Sequence, residues 1–169
     1  MEKTLQVLNR MEAEGVVGRY AIGGAIAATF YVEPVSTFDV DVFFAAEGAS
    51  DALLSLTPLY DYLAALGYEP AGEAVEIEGW PVQFLPVFTP LLAEALTQAV
   101  EIRFKKTPTR VMRAEHLVAV MLETGRAKDL ARVIQFLEEG AVELSALEGV
   151  LARHGLAERW REFRNRFDV

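Results

Sequence analysis

YAIGGAIAATFYVEPVSTFDVDVFF, residues 20–44, is the stretch from which the fold can be read. With the next alanine, its end reads TFDVDVFFA (37–45), which alternates through its first six residues and is rich in Val, Phe and Thr. That composition and period predict a β-strand. Side chains alternate across a strand, so Thr37, Asp39 and Asp41 share one face and Phe38, Val40 and Val42 the other. Two carboxylates on one face repel each other. A divalent cation removes the repulsion by taking an oxygen from each, and Mg²⁺ prefers such hard ligands. The same spacing also fits the solvent face of an antiparallel strand. Upstream, VVGRYAI (16–22) reads as a strand ending at Gly23-Gly24, and AIAATFYV (25–32) as a short buried helix closed by Glu33-Pro34. Glycines between strand and helix let a backbone approach a phosphate at a helix N-terminus. They also make a plain tight turn, and neither GxGxxG nor a Walker A loop follows.

Working outward, Leu5, Leu8 and Met11 recur within 2–14, predicting an amphipathic helix stopped by Gly15. Residues 51–66 form a helical pattern with a break at Pro58. EAVEIEG (73–79) and PVQFLPVF (81–88) predict a hairpin turning at Gly79-Trp80, with Gln83, Leu85 and Val87 on one face of the second strand. A helix at 90–99 leads to a connector through Lys106-Thr107-Pro108. From there the pattern is helical: 113–124, 127–138, 143–153 and 156–166, punctuated by Gly125, Gly140 and Gly155. The expected fold is α+β: a small mixed sheet of about four strands with flanking helices, then a C-terminal helical bundle. The division expected is an α/β core over 1–108 and a helical subdomain over 109–169 packed on it.

The chain has 169 residues, 52% of them apolar and 24% charged, enough to bury a core. There are no cysteines, which excludes disulfides, thiolate metal sites and cysteine nucleophiles. No run of about 18 apolar residues is present, so no membrane partner is expected. The acidic N-terminus lacks the apolar run of a signal peptide, and a cytoplasmic protein is expected. The net charge of −9 argues against a general nucleic-acid coat. Its distribution is uneven: residues 1–100 carry three basic and 14 acidic side chains, residues 101–135 eight basic and four acidic. Solvated helix faces account for this, and so does an acidic, cation-collecting half facing a basic strip suited to phosphate. His116 reads as a helix-surface or capping residue and His154 as a helix C-terminal one, neither with a metal partner at i+4. Trp80 and Trp160 read as packing anchors.

Strand, Gly-Gly, helix and a strand bearing Asp-x-Asp, in that order, resemble the signature of the nucleotidyltransferase (polymerase-β-like) superfamily. Within it the chain is most similar to minimal bacterial members related to abortive-infection toxins, which commonly carry a helical Arg-x-Lys-Asp stretch, here Arg126, Lys128 and Asp129. The resemblance implies Asp39 and Asp41 as catalytic and Mg²⁺-binding residues, and Gly23, Gly24, Thr37, Gln83, Arg126 and Lys128 as the nucleotide-binding set. It further implies a nucleoside triphosphate substrate, an acceptor drawn from tRNA or protein, and a partner protein of a toxin–antitoxin pair. The sequence departs from the family at three places. Gln83, in Pro81-Val82-Gln83-Phe84, stands where many active relatives carry a third carboxylate; Val35 stands where toxin-like relatives place Arg; and VAVMLE (118–123) lacks their lysine. An amide cannot act as general base. Two functions are therefore expected: Mg²⁺-dependent transfer of a nucleoside monophosphate to an acceptor hydroxyl, or a degenerate nucleotidyltransferase-fold binding module without turnover.

Overall fold

The computed structural model describes residues 1–34, 39–45 and 56–169, so Thr37 lies outside the described residues. In chain order the elements are α1 (Glu2–Ala13), β1 (Tyr20–Ile22), α2 (Gly24–Ala28), β2 (Val40–Ala45) and α3 (Thr57–Ala65). There follow β3 (Pro70–Ala71), β4 (Ala74–Ile77), β5 (Trp80–Val87), α4 (Pro90–Thr97), β6 (Val100–Phe104) and β7 (Thr107–Val111). The chain ends in α5 (Ala114–Thr124), α6 (Ala127–Glu138), α7 (Leu144–Arg153) and α8 (Ala157–Phe167).

The described strands form one mixed sheet in the order β3-β4-β5-β2-β1-β7-β6. β2 lies at its centre, antiparallel to β1 and parallel to β5. Its alternation works as the sequence predicts. Val40, Val42 and Phe44 are buried, whereas Asp41, on the opposite face, is half-buried. β1 is shorter than expected, although the backbone just ahead of it still bonds the end of β2: the Gly18 N–H donates to the Ala45 carbonyl at 3.1 Å and the Ala45 N–H to the Arg19 carbonyl at 2.9 Å, and a Cβ at Gly18 would stand 2.6 Å from the Ala45 oxygen.

The class is the mixed α/β one expected, but the strand count is not. Seven described strands replace about four. Two of the additions, β6 and β7, occupy the stretch read as a connector. Of the three buried residues of β7, Thr107 and Thr109 are polar and only Val111 is apolar, while Ile102 and Phe104 of β6 are half-buried, so the burial period came with a weak hydropathy signal. Lys105 takes a positive φ of 54° at the turn between them. The third addition, β3, is only two residues long.

α1 packs on β7, and the Thr4 hydroxyl donates to the Ile77 carbonyl at 3.1 Å. α5 is the centre of the helical part, touching α2, α4, α6, α7 and α8. It buries Leu117, Val118, Met121 and Leu122. His116 is buried too, only 1% exposed, where a surface position was expected. Trp160 is an anchor as expected, buried and stacked on Phe163. Position 108 falls within β7, and α5–α8 follow it. No described helix is long and apolar enough to cross a membrane.

Candidate active site

Asp41 on β2 pairs in register with Gln83 on β5, and Phe43 pairs with Leu85. Because both strands alternate, these four side chains and Asp39, just before β2, present one face of the sheet. That face forms one wall of a cavity of about 360 Å³. The opposite wall comes from Leu117, Val120 and Met121, spaced to share a face of α5, and from the N-terminal turns of α6. Gly24 and Ala25 of α2 close one end. Along β2 the lining passes from the charge of Asp39 and Asp41 to the ring of Phe43.

The glycine pair is explained by contact with β2. Gly24 has φ +55°, and a Cβ added there would lie 1.7 Å from Asp41 Oδ2. Gly23 donates its N–H to the Asp41 carbonyl at 2.9 Å, and a Cβ there would lie 2.4 Å from the Phe43 ring. Both glycines therefore let α2 begin directly against the strand that carries the aspartates. Gly24 lines the cavity, whereas Gly23 is packed behind it against Phe43 and Met112. Burial pushes the Asp41 carboxyl above its usual range and the nearby Asp39 adds to this, while Arg126 and Lys128 pull it back down. A cation between the aspartates would relieve both unfavourable contributions.

Arg126, Lys128, Asp129 and Arg132 stand across the cavity from the aspartates. Arg126 caps α6 and donates to both oxygens of Asp129, from Nε at 2.6 Å and from a terminal nitrogen at 3.3 Å. The pair sets the buried Asp129 carboxyl against an exposed guanidinium. Lys128 and Arg132, one turn apart, have no hydrogen-bond or ion-pair partner among the described residues. Arg132 entered the sequence reading only as one of the eight basic residues of 101–135, not as a site residue. Its only signal was the i,i+4 spacing from Lys128, which any basic helix face shares.

Supports for this arrangement come from α6 and α2. Gln135 donates to the Glu33 carbonyl at 3.0 Å, and the Glu33 N–H donates to Glu139 at 3.0 Å, fixing the chain a few residues ahead of Asp39. The Tyr31 hydroxyl donates to the Met112 carbonyl at 3.0 Å, tying the residues after α2 to the start of α5.

The structure brings Gly24, Asp39, Asp41, Gln83, Arg126 and Lys128 to one cavity, with Gly23 behind it and Thr37 outside the described residues. Among the described residues, no three of His, Cys, Asp and Glu cluster to hold a metal. The donor set offered to a cation is two carboxylates and an amide.

In sequence, no family model and no curated protein matches the chain. Solved structures do. The solution structure of the antibiotic-resistance factor ANT(2'')-Ia matches with a TM-score of 0.55 at 14% identity, over 99% of each chain. The crystal structure of ANT(2'')-Ia in complex with adenylyl-2''-tobramycin gives 0.53 at 14% identity, over 96% of this chain and 98% of that one. An antigenic nucleotidyltransferase-like protein from Paracoccidioides brasiliensis gives 0.54 at 13% identity, over 89% and 86%. The fold is that of the nucleotidyltransferases. At these identities the likeness speaks for the fold alone, and the strand, Gly-Gly, helix, Asp-x-Asp order read from the sequence is the frame on which it is built.

Proposed function

We propose that the protein transfers a nucleoside monophosphate from a nucleoside triphosphate to an acceptor hydroxyl, in a Mg²⁺-dependent reaction. The observation that carries this reading is the convergence of Asp39 and Asp41 with two cations that have no partner among the described residues, Lys128 and Arg132, across one cavity. A ligand answering that arrangement needs a cation at one wall and negative charge at the other, as a metal-bound triphosphate provides. Asp39 and Asp41 would hold the metal, whose hard preference their oxygens fit, with the Gln83 side chain beside them. A Mg²⁺ held there would supply charge neutralisation to the phosphates.

The chain's own residues do the rest. Lys128 and Arg132 hold the phosphates that will leave, and Gly24 keeps Asp41 at the start of α2. The acceptor oxygen bonds to the α-phosphorus as the bond to the β-bridging oxygen breaks. Pyrophosphate departs, and the hydroxyl proton passes to water, since Gln83 cannot take it. Such catalysis rests on positioning and charge, which a missing base slows without forbidding. The acceptor is a tRNA or protein hydroxyl, and the cavity lies between the 1–108 core and the 109–169 subdomain. A partner protein of the toxin–antitoxin kind belongs to the same proposal.

A second reading, nucleotide binding without turnover, is favoured by Gln83 itself. Label transfer from α-labelled triphosphates to pools of tRNA and protein decides between the two. Transfer by wild type that Asp41→Asn abolishes supports the enzyme. Nucleotide binding without transfer, by wild type and by Gln83→Asp alike, supports the binding module. Neither binding nor transfer would overturn both.

A further inference from the structure

Gln83 is the residue that divides the two readings, and its surroundings contain a carboxylate that the sequence pattern did not connect with it. The turn between β3 and β4 carries Glu73, and β4 runs antiparallel to β5 beside it. Gln83 Nε2 donates to Glu73 Oε2 at 3.4 Å. Asp41, Gln83 and Glu73 thus form a row across three neighbouring parts of the sheet, with Gln83 in the middle. Adjacent strands lie about 4.8 Å apart, which puts Glu73 about two spacings from Asp41 with Gln83 between them. Its contact is with the amide.

An amide has a donor end and an acceptor end on one carbon. Whichever end is engaged on the outer side decides which faces the cavity. We propose that Glu73 is a positioning residue: by accepting from the Gln83 NH₂ group it turns the Gln83 carbonyl oxygen, Oε1, toward Asp39 and Asp41. This rests on the reading of the cavity as a metal–nucleotide site. The orientation has a chemical consequence. An inward NH₂ would donate to the aspartates and compete with a cation for their oxygens. An inward Oε1 instead adds a third hard oxygen, of the kind Mg²⁺ and Mn²⁺ accept. The position usually read as a lost carboxylate is then a neutral ligand backed by a carboxylate from the next hairpin.

The experiment compares wild type, Glu73→Ala and Glu73→Gln by two measurements. The first is the side-chain amide resonance of Gln83 in ¹⁵N-labelled protein, without metal or nucleotide. The second is Mn²⁺ affinity, from the electron paramagnetic resonance signal of free Mn²⁺, with and without ATP. Loss of an outer partner to a metal ligand typically weakens metal affinity by about 10–100-fold, and a neutral ligand sets the expectation at about 10-fold for Glu73→Ala. The Gln83 resonance should shift in the same variant. Glu73→Gln retains an acceptor oxygen and should fall between the other two. An unchanged Mn²⁺ affinity in Glu73→Ala, or an unchanged Gln83 resonance, overturns the positioning role while leaving the metal–nucleotide reading intact. If wild type binds no Mn²⁺, that reading fails and the proposal with it; a shifted resonance would then show the Glu73–Gln83 contact to be structural only.

Discussion

A methyl group at position 24 would stand 1.7 Å from Asp41 Oδ2, closer than any non-bonded contact allows. The residue also sits at φ +55°, where side chains other than glycine are strained. Gly24→Ala therefore has two separable effects. The backbone strain should lower stability by about 1–3 kcal/mol. The displaced Asp41 carboxylate should in addition remove Mg²⁺-dependent nucleotide binding. A thermal-shift titration with ATP and Mg²⁺ checks both, since the starting midpoint falls and the ligand-induced rise disappears. The double substitution Asp39→Asn/Asp41→Asn should also abolish that rise, but with a starting midpoint equal to or above wild type, because like charges on one face are relieved. A rise as large as that of wild type in either variant would count against the site. At Gln83, restoring the acid by Gln83→Asp should raise Mn²⁺ affinity and any transfer rate, general-base assistance being worth about 10²–10⁴-fold. Transfer by wild type that this variant leaves unchanged would mean two carboxylates suffice.

The elements divide by how their burial is encoded. β2 and β5 were legible because large apolar residues mark their buried face, and with them came Asp39, Asp41 and Gln83 on the opposite one. The C-terminal helices were legible from apolar period and from the glycines that end them. The β6–β7 hairpin was not, since threonines fill two of the three buried positions of β7 and Arg103, Lys105 and Lys106 disguise it as a linker. The role of the Gly-Gly pair was half legible. A turn between strand and helix follows from sequence, but the collision that excludes a side chain at Gly24 exists only once β2 is placed against α2. The first turns of α6 show the same limit: Arg126 and Lys128 carry the family pattern, whereas Arg132 stood out in the sequence only as one basic residue among the eight of 101–135. Because Lys128 and Arg132 have no hydrogen-bond or ion-pair partner to release among the described residues, their removal should act on ligand rather than fold. Lys128→Ala/Arg132→Ala should raise the KM for triphosphate by about 10-fold or more, each charge-assisted contact being worth about 1.5–3 kcal/mol. Thermal stability without ligand should stay within about 0.5 kcal/mol of wild type. A KM equal to that of wild type would remove the cations from the site.

At the scale of the whole molecule, one carboxylate joins the sheet-side helices to the C-terminal ones. Glu94 on α4 receives Arg153 at 2.6 Å, His154 at 2.7 Å and His116 at 3.2 Å, and so links α4 with α5 and the end of α7. The Arg153 hydrogen bond, aided by those from the two histidines and opposed by burial, lowers the Glu94 carboxyl to about 2. Burial pushes His116 below its usual 6.5, outweighing Glu94 and Glu115, while Arg113 pushes the same way as burial. Burial thus favours the neutral imidazole, whose Nε2 donates to Glu94, and its buried Nδ1 has no hydrogen-bond partner among the described residues. Both shifts have the same sign for stability. For His116 the unfolded chain takes up a proton near 6.5 and the folded chain does so only at lower pH, so stability falls as pH drops below about 6.5. For Glu94 the contribution is complete above the ordinary carboxylate value of 4.5 and is lost between 4.5 and about 2. The midpoint of thermal unfolding should thus decline in two stages from pH 7 to pH 3. Glu94→Gln should lower the pH 7 midpoint by several degrees, at about 2–4 °C per kcal/mol for a chain of this size. It should also flatten the lower stage, since the group that titrates there is gone. His116→Gln should flatten the upper stage and leave the lower one. A midpoint independent of pH between 7 and 3, or a Glu94→Gln profile parallel to that of wild type, would show that Glu94 does not hold α4, α5 and α7 together in the way its contacts require.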